Sequence, residues 1–115
     1  MEFTNKQHKE KYEEVKQGMG FSNDTGEYAS FAYILSSPII YPKVNLILSK
    51  DYKFRGNDEV QELISPLSSS EKVLINLAVS LYTSTGGDSV LDTFTSLDKD
   101  NFEIALNSIK IRFGM

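Results

Sequence analysis

Between Ser68 and Phe113 the chain carries three helix start signals in succession, and no other feature constrains its fold as strongly. Ser68-Ser69-Ser70-Glu71 has the capping-box form, in which a hydroxyl accepts from a free N–H of the first turn and the carboxylate reaches back to the cap. Ser89-Val90-Leu91-Asp92 repeats the arrangement, and Asp98 can cap a last helix. After Ser68 follow Val73, Leu74, Ile75, Leu77, Ala78, Val79, Leu81 and Tyr82, leaving only Lys72, Asn76, Ser80 and Thr83 as a polar stripe. A helix apolar on most sides must be covered on most sides, so residues 70–83 are expected to be central. In the last helix Phe102, Ala105, Leu106, Ile109 and Phe113 form one face, Ile104 and Ile111 widen it, and Lys110 and Arg112 suit the negative end of the helix dipole.

Upstream the signals are of the same kind. Thr4-Asn5-Lys6-Gln7 reads as a capping box with Phe3 as a staple, starting a helix that runs to about Gln17 and stops at Gly18 and Gly20. Its apolar edge is thin, Tyr12, Val15 and Met19 among many charges, so it should dock by one side. Asp24 with Glu27 starts a second helix whose Tyr28, Phe31, Ala32 and Leu35 share a face, and Pro38 ends it near Ser36 or Ser37. Pro42 suits the first position of a short helix, yet Val44, Leu46, Ile47 and Leu48 would equally make a strand, so a short hairpin within 44–57 stands as the alternative. Asp58 can cap a further helix through Leu63 or Ile64, before Pro66.

The expected fold is therefore all-α, a compact bundle of five to six helices over residues 1–115 as a single domain. A chain of 115 residues with 40% hydrophobic content fits one core. Phe31, Leu35, Leu74, Leu77, Ala78, Leu81, Phe94, Leu97, Phe102, Leu106 and Ile109 should fill it. With no cysteine, and no apolar run in Met1 to Lys16 resembling a secretion signal, a cytoplasmic location is expected, without membrane association.

Candidate chemistry is sparse. His8 is the one histidine and lacks the Cys, His or acidic partners of a zinc or nucleophile site; it reads as a surface residue or a partner of the staple. Asp98-Lys99-Asp100 begins like a calcium loop, but Glu103 stands where glycine is needed and Ile109 where a bidentate Glu is needed. Gly86-Gly87 precedes a helix without the lysine of a phosphate loop, and Asp88 and Asp92 would repel phosphate. No catalytic residue, cofactor or metal is read from the sequence, and the net charge of −4 gives no general attraction to nucleic acid. One local bias remains. Tyr41, Lys43, Tyr52, Lys53, Phe54 and Arg55, with Lys50 among them, interleave aromatics and cations as interface hot spots do, and these six are the candidate partner-binding residues.

Ser68-Ser69-Ser70-Glu71-Lys72, Leu77-Ala78, Leu81-Tyr82, Leu91-Asp92-Thr93-Phe94 and the run from Asn101-Phe102 to Phe113 resemble a group of small domain-of-unknown-function proteins of Gram-positive bacteria and their phages and prophages. His8 to Tyr12 and Phe31 to Tyr41 resemble them more loosely. The resemblance carries no catalytic residue. It implies a mobile-element setting, in which a small accessory protein binds and modulates or inhibits a host protein, a defence protein included. The expected function is thus a non-enzymatic protein–protein interaction module. A small nucleic-acid-binding regulator is the alternative, and self-association into a homo-oligomer could use the same aromatic cluster.

Overall fold

The computed structural model describes residues 1–115 as six α-helices and one 3-10 helix, with no β-strand. In chain order these are α1 (Lys6–Met19), α2 (Glu27–Leu35), the 3-10 helix (Tyr41–Leu46), α3 (Asn57–Ile64), α4 (Ser69–Thr83), α5 (Val90–Thr95) and α6 (Lys99–Arg112). The all-α class is as expected. Both readings of 44–57 hold in part: the short helix after Pro42 forms, and Leu48 then makes a single antiparallel bridge to Phe54. No helix is long and apolar enough to cross a membrane.

The three start signals of the C-terminal half all operate. Ser68 caps α4 with both halves of the capping box made; Ser89 accepts from the Asp92 N–H and Asp98 from the Asn101 N–H. Those of the N-terminal half are displaced. Asn5 caps α1, because the Thr4 N–H and hydroxyl are already turned to Nδ1 of His8, 3.1 and 3.2 Å away. Asp24 caps nothing: its Oδ1 accepts from the Tyr12 hydroxyl at 2.7 Å and from Lys16 at 3.0 Å. Gly26 and Gly56 take the cap positions of α2 and α3 at φ 93° and 91°, backbone that a side chain would strain, which leaves Asp58 inside the first turn of α3. α1 also runs on past Gly18 and closes at Gly20, in the left-handed conformation.

The central helix is α2, correcting the expectation for 70–83. Every residue from Ala29 to Leu35 is buried, and α1, α4 and α6 all pack on it. Within that buried run the Ser30 hydroxyl is satisfied by the Gly26 and Glu27 carbonyls of its own turn. α4 is covered on most sides as expected, with Val73, Leu74, Ile75, Ala78 and Val79 buried. One cluster of 20 buried apolar residues joins all these helices. At the C-terminal end of α6, Arg112 ties three elements together, donating to the Leu81 carbonyl at 2.9 Å and the Ser84 hydroxyl at 3.1 Å while pairing with Glu27 at 3.3 Å.

α6 turns a different face inward from the one its large side chains suggest. Asn101, Ile104, Ala105, Ser108 and Ile111 are buried, whereas Phe102 and Leu106 are exposed and Ile109 half-buried. Ala105 and Ser108 are small, which lets α6 approach α2 closely, and the Ser108 hydroxyl needs no outside partner because it bonds the Ala105 carbonyl at 2.7 Å. Of the other expected core residues, Phe31, Leu35, Leu74 and Ala78 are buried, and Leu77, Leu81, Phe94 and Leu97 are partly so.

His8 is buried, not at the surface, and Phe3 meets its ring edge-on at 5.1 Å, so the staple role is real. Nε2 lies 2.9 Å from the Tyr33 carbonyl, an acceptor only, so it carries the proton and donates. Nδ1 then accepts from Thr4, and the neutral ring is satisfied at both nitrogens. Protonation would set a second N–H against the Thr4 N–H in a dry site. Burial accordingly lowers the His8 pKa below 6.5, against the raising effect of the Tyr33 carbonyl. Because the unfolded chain binds the proton more readily, the stability this site contributes is present above about pH 6.5 and is lost as pH falls below it. Urea midpoints measured between pH 8 and pH 5 should fall on acidification, and the slope should flatten in His8→Gln. An equal slope in both proteins would exclude His8 as its source.

Candidate functional site

The segment that follows α2 builds a recess against α1. Pro38 stops α2, Ser37 accepts from the N–H groups of Ile40 and Tyr41, and Pro42 opens the 3-10 helix, which swings the chain back toward α1. The chain then reverses in a tight loop: Tyr52 N–H donates to Ser49 at 2.9 Å, Ser49 N–H donates to Lys53 at 2.8 Å, and the Ser49 hydroxyl accepts from the N–H groups of Asp51 and Lys53. Arg55 closes the base, its N–H on the Ile47 carbonyl at 3.0 Å, its Nε on the Asn45 carbonyl at 2.9 Å and its guanidinium on Glu59 at 3.1 Å.

Tyr52 stands at φ 60°, one of two non-glycine residues in the left-handed region. For a bulky side chain this costs on the order of 1–2 kcal/mol and persists only where surroundings hold it. Gly18 is what holds it. The Tyr52 ring lies on the bare backbone of α1 at that point, so close that a Cβ on Gly18 would overlap it. The Tyr52 hydroxyl reaches Glu14 Oε1 at 3.4 Å, and the Tyr41 hydroxyl donates to the same oxygen at 2.8 Å. Lys11 completes the cluster, 3.5 Å from Glu14 and 4.8 Å from the centre of the Tyr41 ring. The bond from Tyr41 holds the Glu14 carboxyl below the usual range, and burial with that same bond pushes Tyr41 up to about 12. Both groups therefore keep one charge state at neutral pH, the carboxylate accepting and the phenol donating.

Beside this cluster, Tyr41 and Tyr52 line an open cleft of about 270 Å³. Val15, Val44 and Leu48 form its apolar lining with the two tyrosines, while Asn45, Ser49, Lys50 and Arg55 supply the polar part. Of the six residues expected at a partner site, Tyr41, Tyr52 and Arg55 thus come together. Lys43 and Lys53 stand outside the lining, Lys53 on the same tight loop. Phe54 points the other way, its ring edge-on to Phe31 at 5.7 Å and to Tyr82 at 5.6 Å, and serves the core. Sequence reasoning missed Val15, Glu14 and Gly18. The i, i+4 spacing of Glu14 and Gly18 on α1 was the available signal, hidden because Gly18 read as a helix end.

A second surface is apolar for a different reason. The rotation of α6 exposes Phe102 and Leu106, and α5 leaves Val90 and Leu91 at 78% and 77% exposure; Phe94 touches Phe102 with ring centres 4.8 Å apart. Elsewhere Gly86 and Gly87 line a polar recess with Asn57, Gln61, Asn76 and Asp88, in which the side-chain amides bond one another and Asn76 donates to Asp88 at 3.0 Å. No three His, Asp or Glu side chains are grouped to hold a metal ion. Comparisons of the chain with protein-family models, with curated proteins and with solved structures gave no match.

Proposed function

We propose that the chain is a non-enzymatic protein-binding domain that uses the Tyr41–Tyr52 cleft to hold a partner. The observation that carries this reading is the preformed wall of the cleft: Tyr52 is kept in a costly backbone conformation, and its ring, seated on Gly18, walls an apolar recess rimmed by tyrosine, arginine and lysine. Tyr and Arg are the side chains that carry interface energy at low entropic cost, and a preformed recess avoids the cost of ordering on binding. The resemblance to small proteins of Gram-positive bacteria and their phages supports a host protein as the partner, with modulation or inhibition as the effect of occupying its surface. A nucleic-acid regulator is the second reading, resting on Lys50 and Lys53, which form no ion pair within the chain.

Affinity capture from a Gram-positive lysate tests the proposal, using the wild-type chain, a Y41S/V44D variant of the cleft and an L91D/F102S variant of the α5–α6 surface. One protein retained at near-stoichiometric yield after nuclease treatment, and lost only from the cleft variant, is the expected result. Loss only from the α5–α6 variant would move the site there. Retention of nucleic acid whose binding falls steeply with salt would favour the second reading.

A further inference from the structure

The charge of the chain is not evenly spread. Lys43, Lys50, Lys53 and Arg55 against Asp51 give residues 43–55 a net +3, in a chain whose total is −4, so the rest carries −7. Two of these cations, Lys50 and Arg55, line the cleft, and Lys53 sits on the loop beside it. Arg55 is engaged with Glu59, but Lys50 and Lys53 have no ion-pair partner. The opposing carboxylates are Asp51 on the loop and Glu14 at the rim. Glu14 stays ionised, and the ammonium of Lys11, 3.5 Å away, offsets its charge.

The size of the cleft is also informative. About 270 Å³ lies at or below the lower end of small-molecule sites, which run from roughly 300 Å³ upward, and suits one anchoring side chain better than a whole cofactor. Its lining combines five apolar or aromatic residues with two cations, Lys50 and Arg55, and no carboxylate. From these facts, and resting on the protein-binding reading above, we infer that the partner segment inserts one large apolar side chain, Leu, Met or Phe, with Asp or Glu within two or three residues of it. Two to three residues of extended chain cover about 7–10 Å, which keeps the carboxylate within about one Debye length of the anchor site at physiological salt. Such a segment meets Val15, Val44 and Leu48 through its anchor and Lys50 and Lys53 through its acid.

The test is panning of a random twelve-residue displayed peptide library on the immobilised full chain. Anisotropy titration of the enriched peptides against wild type, K50E/K53E and Y41S/V44D then follows. Lys50 and Lys53 are exposed, so the charge reversal should fold, and circular dichroism checks this. Enriched peptides are expected to share an apolar anchor flanked by Asp or Glu, and to lose about tenfold or more in affinity to each variant, an ordinary hot-spot effect. Peptides that are neutral or basic, or that bind K50E/K53E as well as wild type yet fail on Y41S/V44D, would overturn the acidic partner and leave the cleft as a binding site. Indifference to both variants would remove the cleft as well. A single-stranded oligonucleotide displacing the peptides at the cleft would overturn the inference in favour of nucleic acid.

Discussion

Phe31→Ala is expected to lower the unfolding free energy by about 3–5 kcal/mol. Phe31 is fully buried in α2, stacked on Tyr82 of α4 with ring centres 4.3 Å apart and planes 19° from parallel, and edge-on to Phe54 beyond the loop. Truncation removes the transfer energy of a whole ring and leaves a cavity that three separate elements would have to collapse to fill. Small domains have only about 5–15 kcal/mol in all, so the variant would be on the edge of folding at 37 °C. Phe31→Leu keeps most of the volume and should cost about 1.5 kcal/mol or less. Urea unfolding followed by circular dichroism measures both, and a loss under about 1 kcal/mol for the alanine variant would show that the ring triad does not bear on stability.

The second large effect is on the cleft. Gly18→Ala should be favourable for α1 taken alone, by about 0.5–1 kcal/mol, since glycine inside a helix is entropically costly. The new methyl group would meet the Tyr52 ring, and overpacking of this kind costs about 1–3 kcal/mol. At the midpoints of those ranges the clash wins, so the variant should be less stable than wild type by about 1 kcal/mol, within a span of about 0–2.5 kcal/mol. The ring would be pushed off the helix and the wall of the cleft lost, with partner affinity falling about tenfold or more. Tyr52→Gly removes both the ring and the left-handed strain. In that background the same Gly18→Ala change should turn stabilising by about 0.5–1 kcal/mol. A double-mutant cycle in urea reads this sign reversal directly; the same sign in both backgrounds would mean that Gly18 does not act through Tyr52.

The legibility of the C-terminal half rests on local chemistry. Ser68 with Glu71, Ser89 and Asp98 satisfy donors within three residues of themselves, so their role depends on nothing distant. Thr4 and Asp24 have the same residue types and failed to cap, because His8, Tyr12 and Lys16 bind them first. A cap is legible only where no tertiary partner competes for it. The two faces of α6 show a second kind of ambiguity. Both hold several apolar residues, and periodicity alone favours the one with the larger side chains. Ala105 belongs to both; packing buries the side with Ile104, Ser108 and Ile111 and leaves Phe102 and Leu106 exposed.

The candidate site was half legible for a related reason. Tyr41, Tyr52 and Arg55 are near one another in sequence, and composition alone marked their stretch. The fourteenth, fifteenth and eighteenth residues reach them only because α1 docks against the loop, a contact across more than 30 positions whose sole trace in the sequence is a glycine that also reads as a helix end.

What the sequence by itself determined is therefore the class of fold and the positions where helices begin from local caps and end at proline. Those depend on interactions within one turn of chain, strong enough to be expressed before anything packs. Which helix lies at the centre, which face of α6 is inward, that His8 is buried and neutral, and that Tyr52 stands against Gly18 were decided by the tertiary structure alone. In the first three cases local preferences do not decide, and at Tyr52 they oppose the observed backbone by about 1–2 kcal/mol. Burial of a side chain, worth roughly 1.5–3 kcal/mol, then settles the choice according to what the neighbouring element has room for.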